Sequence, residues 1–96
     1  MSERDPGLEE GLRLDKWLWQ ARFAKSRSIA ASWIEGRKVR INRTLITKTH
    51  YRVRPGDVLT FPQGHSVRVV RVVELGSRRG PASEAQTLYE ELTTGL

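Results

Sequence analysis

Hydrophobic residues between positions 14 and 34 recur at the 3.6-residue period of two short helices. In the first helix, apolar side chains follow the spacing i, i+3, i+4, i+7, at Leu14, Trp17, Leu18 and Ala21. The second helix is predicted to begin after Ser26, a favourable N-cap, and to stop at Gly36. Its apolar face consists of Ile29, Ala30, Trp33 and Ile34. The pattern therefore predicts two helices joined by a short turn.

After Gly36 the period changes to two, which is typical of strands. Lys38, Arg40 and Asn42 alternate with Val39 and Ile41, so this strand has one polar face and one buried face. Further strands are predicted over residues 44–47, 58–61 and 67–73, with turns at 42–43, 54–57 and 62–65. Residues 50–54 are assigned either to a loop or to extended chain.

A final helix is predicted after a loop over residues 76–80. It begins at Pro81, or with Ser83 as its cap, and runs to about Leu92, with Leu88 and Leu92 as its apolar stripe. These elements predict an α+β fold, in which two N-terminal helices pack on a small, mostly antiparallel, curved sheet with a C-terminal helix. We expect one domain over residues 12–92, between a flexible acidic arm (1–11) and a frayed tail (93–96).

Positive charge is concentrated in the middle of the chain, whose formal net charge is +6. Residues 13–71 hold fourteen lysines or arginines against three acids, whereas four acids lie in 1–12 and another four in 72–96. A basic segment between acidic ends indicates a surface that binds a polyanion. The cations that the predicted elements bring to this surface are Arg13, Lys16, Arg22, Lys25, Arg27, Lys38 and Arg40.

Two polar or aromatic features near these cations have alternative interpretations. Asn42 is expected either to hydrogen-bond a nucleic-acid sugar or base, or to hold the turn that follows the first strand. Trp19 and Phe23 lie four residues apart on the opposite face of the first helix, where they either pack in the core or stack on bases. We favour packing, because aromatic residues at helical spacing are usually buried.

Catalytic and metal-binding patterns are missing from the sequence. It contains no cysteine, and its two histidines, His50 and His65, are fifteen residues apart and outside any metal-binding motif. The acids of the basic segment have local explanations: Asp15 suits the dipole of the first helix, Glu35 ends the second, and Asp57 follows a Pro-Gly turn. We expect a monomeric, cytoplasmic protein that is not an enzyme, uses no cofactor or metal, and does not bind membranes.

The stretch from Arg13 to Arg43 resembles the S4-type RNA-binding domain, also called the alpha-L motif. The motifs that carry the resemblance are Arg13-Leu14-Asp15, Lys25-Ser26-Arg27-Ser28, and Gly36 with Val39, Ile41 and Asn42. The similarity covers residues 13–61. It implies binding of structured RNA in a groove between the helix pair and the first strand.

The segments 15–23 and 78–85 are similar to the ribosome-associated heat-shock protein 15 group. Members of that group bind the large ribosomal subunit, including subunits stalled with a nascent chain on tRNA, and often carry a long basic C-terminal extension. The resemblance implies a role in translation stress or ribosome rescue. Because this chain ends in an acidic stretch at Leu96, we expect contacts of such an extension either to be missing or to be supplied otherwise.

Two other functions fit the same charge pattern. The chain would act as an accessory module for an RNA-modifying enzyme or a tRNA-related partner, since similar domains are appended to such enzymes. Alternatively, the two helices would bind DNA as a helix-turn-helix, although the second helix exposes few side chains that read bases beyond Arg27, Ser28 and Ser32.

Overall fold

The computed structural model describes residues 11–93. Residues 1–10 of the predicted arm and 94–96 of the predicted tail lie outside the described residues. The elements are, in chain order, β1 (Leu12–Arg13), α1 (Leu14–Gln20), α2 (Arg27–Glu35), β2 (Val39–Ile41), β3 (Thr44–Ile46), β4 (Arg52–Val53), β5 (Val58–Gln63), β6 (Ser66–Val72), α3 (Ala82–Ala85), a 3₁₀ helix (Gln86–Leu88) and β7 (Tyr89–Thr93).

Five strands form one antiparallel sheet in the order β3-β2-β5-β6-β7. The strands β1 and β4 form a separate antiparallel pair, in which Arg13 lies opposite Arg52. Residues 52–53 are therefore extended, whereas His50 lies in a turn, so the segment combines the two predicted conformations. The α+β class, with helices on a mostly antiparallel sheet, is confirmed.

The core lies between the two N-terminal helices and one face of the sheet. Leu14, Trp17 and Leu18 of α1 are fully buried, as the helical spacing predicts. Phe23 is also buried, and its ring centroid lies 4.9 Å from that of Phe61 and 4.5 Å from that of Tyr89. Phe23 is therefore a core residue, whereas Trp19 is only half-buried.

Both ends of α2 have the expected capping residues, with one difference in detail. The Ser26 side chain accepts a hydrogen bond from the Ile29 amide at 3.1 Å, which confirms the predicted N-cap. The helix stops at Gly36, but the residue in the left-handed conformation is Arg37, with φ 65°. A Cβ at Gly36 would lie 2.9 Å from the carbonyl oxygen of Ser32, so close approach explains this glycine.

Two hairpin turns lie near their predicted positions. Asn42 and Arg43 both have positive φ, 51° and 74°, as a two-residue turn between β2 and β3 requires. The second turn consists of Gly64 and His65, because β5 continues to Gln63. The prediction of Pro62 as a turn residue was wrong. Pro62 lies beyond the last residue of β5 that pairs with β2, so its missing N–H breaks no ladder bond there.

The predicted C-terminal helix is present but ends at Ala85, and its extension to about Leu92 was wrong. The chain instead turns through the 3₁₀ helix and adds β7 to the edge of β6. Leu88 is buried, whereas Leu92 is 40% exposed, so the two leucines do not form one apolar stripe. A strand forms here instead of a longer helix because pairing with β6 supplies backbone hydrogen bonds between the strands. The pairing also brings Glu90 and Glu91 next to arginines of β6.

Candidate nucleic-acid interface

Arg13 and Arg27 are brought together by one buried carboxylate, that of Asp15. Arg13 donates from Nε and Nη2 to the two oxygens of Asp15, each at 3.1 Å. Nη2 of Arg27 lies 3.5 Å from Oδ1 of the same group. The Asp15 side chain is 7% exposed, against 42% and 43% for the two arginines. The start of α1 and the start of α2 thus present a joined pair of guanidinium groups.

The turn between the helices carries exposed cations of two kinds. The side chain of Lys25 has no hydrogen bond or ion pair among residues 11–93, and the same holds for Lys16, which is half-buried on α1. Arg22 is exposed too, but its Nε donates to the Gly80 carbonyl oxygen at 2.6 Å, and its backbone is left-handed with φ 65°. Arg22 therefore ties the turn to the loop before α3.

The predicted cations of the first strand lie on a second part of the surface. Arg40 lies between the core residues Val39 and Ile41, so it points to the sheet face that the helices do not cover. Arg37, Lys38 and Arg40 line a groove of about 220 Å³ together with residues of β5 and β6. The predicted cations therefore divide into a helix group (Arg13, Lys16, Arg22, Lys25 and Arg27) and the pair Lys38 and Arg40. Together with Arg37, which was not predicted, this pair is the strand group (Arg37, Lys38 and Arg40).

Asn42 is engaged within the protein. Its Nδ2 donates to Oδ1 of Asp57 at 3.1 Å, and its Oδ1 accepts from the Val58 amide at 3.0 Å. Asp57 also accepts from the Arg54 amide through Oδ2 at 2.9 Å. These contacts join the β2–β3 turn to the Pro-Gly turn, which is the structural alternative foreseen for Asn42.

Three arginines of the C-terminal part are paired with neighbouring acids. Arg68 pairs with Glu91, Arg71 with Glu90, and Arg78 with Glu84. The hydrogen bonds that Arg68 donates to the Glu91 carboxylate raise the pKa of Arg68 above its usual value. The free positive charge of the described chain is thus shifted toward the helices and β2.

The predicted set of site residues leaves out three exposed cations of this basic region: Arg37, Arg43 and Lys48. None of their side chains has a hydrogen bond or ion pair among residues 11–93. For Arg37 and Arg43 the available signal was charge, because these residues lie in turns outside the helical and strand periods. Within the same range, no cluster of three or more His, Cys, Asp or Glu side chains could hold a metal ion. Among the helices of residues 11–93, none has the length and the hydropathy that a membrane span requires.

The family model of the S4 domain matches residues 12–59, which hold β1, both N-terminal helices and the strands up to β5. The chain belongs to the S4 domain family. S4 domains are RNA-binding domains, and the resemblance seen in the sequence is confirmed.

Proteins named heat shock protein 15 are similar to this S4 chain over most of its length. The Escherichia coli (strain K12) protein is 48% identical over 86 residues, covering 90% of this chain and 62% of that protein. The homolog from Haemophilus influenzae is 44% identical over 90 residues, covering 92% and 66%. The chain therefore spans about two thirds or less of the length of these curated relatives.

A solved structure extends the similarity of this S4 chain from sequence to fold. It is described as a trimeric structure of Vibrio cholerae heat shock protein 15. It superposes with a TM-score of 0.80 at 42% identity, and the match covers 83% of this chain and 80% of that one. The structural match therefore extends beyond residues 12–59, the part that the S4 family model matches.

Proposed function

We propose that this protein binds structured RNA of the large ribosomal subunit in the cytoplasm, without catalysis, in a translation-stress or ribosome-rescue role. The observation that carries the proposal is the distribution of unpartnered cations. Within residues 11–93, the lysines and arginines without a side-chain partner are Lys16, Lys25, Arg37, Lys38, Arg40, Arg43 and Lys48. Cations without partners inside the protein are available to contact the phosphates of a nucleic-acid backbone.

The placement of the cations favours a folded RNA as ligand. The helix group and the strand group lie on different parts of the surface, so each can contact its own backbone segment. Folding of an RNA brings such segments together in space. Phosphate contacts supply affinity and fix orientation, and RNA shape then supplies recognition.

The roles proposed for the predicted residues follow from their contacts. The residues proposed to contact phosphates are Arg13, Lys16, Arg22, Lys25, Arg27, Lys38 and Arg40. Asn42 holds the turn at the end of β2. The absence of catalysis is supported by the acids of the basic segment, since Asp15 and Asp57 are both bonded to neighbouring protein groups.

The choice of the large subunit rests on the resemblance to the heat-shock protein 15 group. Sedimentation of the tagged protein with cell lysate through a sucrose gradient, at low and at moderate salt, tests it. We expect migration with the large subunit that weakens as salt rises, because phosphate contacts release counterions. Migration at the top of the gradient at both salt concentrations would contradict a ribosomal role.

Two further experiments with the tagged protein distinguish this proposal from DNA binding and from the accessory-module function. Competition between a folded RNA and duplex DNA at one salt concentration distinguishes RNA binding from helix-turn-helix DNA binding. Equal competition by duplex DNA would favour the DNA-binding alternative. Recovery of one enzyme in stoichiometric amount with the tagged protein, and no ribosomes, would favour the accessory-module alternative.

The oligomeric state is a separate part of the proposal. We propose a monomer of 11.0 kDa, the mass of one chain, as the form that binds RNA. The Vibrio cholerae relative is described as trimeric, so a trimer is the alternative to the proposed monomer. Light scattering during gel filtration separates the two, and a mass three times that of one chain would contradict the monomer.

A further inference from the structure

A buried acid lies in the middle of the basic surface. The Asp15 carboxylate is 7% exposed, and its two oxygens accept from Nε and Nη2 of Arg13 at 3.1 Å each. Nη2 of Arg27, at the start of the next helix, lies 3.5 Å away. One carboxylate therefore contacts guanidinium groups from two elements that meet at this corner.

The helix dipole explains why an acid suits the first turn of α1, but not why it is buried against two arginines. A buried carboxylate loses its hydration and is tolerated when it is paired and hydrogen-bonded. In return, pairing removes rotamer freedom from two long side chains before any ligand binds. A ligand that meets ordered side chains does not have to order them.

We propose that Asp15 is a positioning residue for RNA binding: it holds Arg13 and Arg27 side by side so that their remaining N–H groups meet phosphate together. The role rests on the proposed function. Nη1 of Arg13 makes no hydrogen bond within residues 11–93, and both arginines are more than two fifths exposed. Arg27 also lies in the first turn of α2, where the helix dipole attracts an anion.

A purely electrostatic view predicts the opposite effect of Asp15. A negative charge beside a phosphate site repels the ligand, so its removal would strengthen binding. If Asp15 positions the two arginines, its removal weakens binding although the surface becomes more positive. The sign of the change therefore separates the two roles.

The test compares Asp15→Asn with the control Glu35→Gln, which removes the exposed acid at the end of α2. The probe is a fluorescein-labelled RNA hairpin, and its affinity is measured by anisotropy with thermal unfolding recorded alongside. We expect Asp15→Asn to weaken binding about fivefold to tenfold, and Glu35→Gln to leave it equal or slightly stronger. Binding of Asp15→Asn as strong as that of the unchanged protein would overturn the proposal.

A double-mutant comparison shows whether Asp15 acts through the arginines. When Arg13→Ala and Arg27→Ala are already present, Asp15→Asn should no longer weaken binding. Equal weakening in that background would overturn the positioning role.

A second variant keeps the test valid if Asp15→Asn does not fold. Arg13→Lys preserves the charge but cannot span both carboxylate oxygens, so we expect weaker RNA binding at unchanged net charge. Unchanged affinity would overturn the proposal. Failure of the unchanged protein to bind the hairpin and ribosomal RNA would overturn the proposed function together with this inference.

Discussion

The guanidinium of Arg79 lies over the indole ring of Trp19, with 5.5 Å between the guanidinium carbon and the ring centroid. Nη1 of Arg79 donates to the carbonyl oxygen of Trp19 and, at 3.2 Å, to that of Ala24. Burial lowers the pKa of Arg79, and the neighbouring positive charge of Arg22 adds to the effect. The loop before α3 thus closes the corner between α1 and α2.

Replacement of Arg79 is therefore predicted to destabilise the fold. Arg79→Met removes hydrogen bonds to two carbonyls and the cation above the ring, so we expect the free energy of unfolding to fall by about 2 kcal/mol. Urea denaturation measures the change. Arg78→Met is the control, because Arg78 pairs with Glu84 at an exposed site and should contribute less than about 0.5 kcal/mol. Equal losses of stability in both variants would contradict the proposed role of Arg79 in fixing the loop against α1 and α2.

Asn42 is predicted to matter for stability rather than for RNA binding. Asn42→Gly keeps the positive φ but loses the bonds to Asp57 and Val58, so the free energy of unfolding should fall by about 1–2 kcal/mol. Arg43→Gly, at the neighbouring positive φ, loses no such bond and should be neutral or stabilising by up to about 1 kcal/mol. A large loss of RNA affinity in folded Asn42→Gly would instead support a direct RNA contact.

Free and paired cations should differ in their effect on RNA affinity. Lys25→Gln removes an exposed cation without a partner in the described chain, so the slope of log affinity against log salt should fall by about one. Arg71→Gln removes a cation paired with Glu90 and should change the slope little. Affinity is measured by anisotropy over a salt series. The same slope for both variants would argue against the proposed surface.

Gly11 is predicted to be the less replaceable of two left-handed glycines. A Cβ at Gly11 would lie 2.4 Å from the Val53 carbonyl oxygen, and φ there is 75°. At Gly64, φ is 63°, but nothing lies within 4 Å of the added atom. We expect thermal or urea unfolding to show a loss of about 3 kcal/mol for Gly11→Ala and about 1 kcal/mol for Gly64→Ala. The reverse order would contradict the close packing of β1 on β4.

The two helices and the first hairpin were predictable from the sequence because their signals are local. The spacing of Leu14, Trp17 and Leu18 defines one apolar face of the first helix, and Ser26 is the N-cap of the second helix. Alternation around Arg40 fixes the two faces of β2. Most cations of the basic surface were also predictable, because they lie within these periodic segments or in the turn between the helices, whereas Arg37, Arg43 and Lys48 lie outside them.

The tertiary structure alone decided which of these groups are available to a ligand and how the chain ends. Spacing four residues apart at Leu88 and Leu92 fits a helix, but the open edge of β6 and its arginines favour a strand, and that edge is distant in sequence. For the same reason the sequence could not show that Arg79 is bound to helix carbonyls, or that one carboxylate joins Arg13 and Arg27. Periodicity records which face a residue occupies, whereas the partner of a polar group depends on elements that only folding brings together.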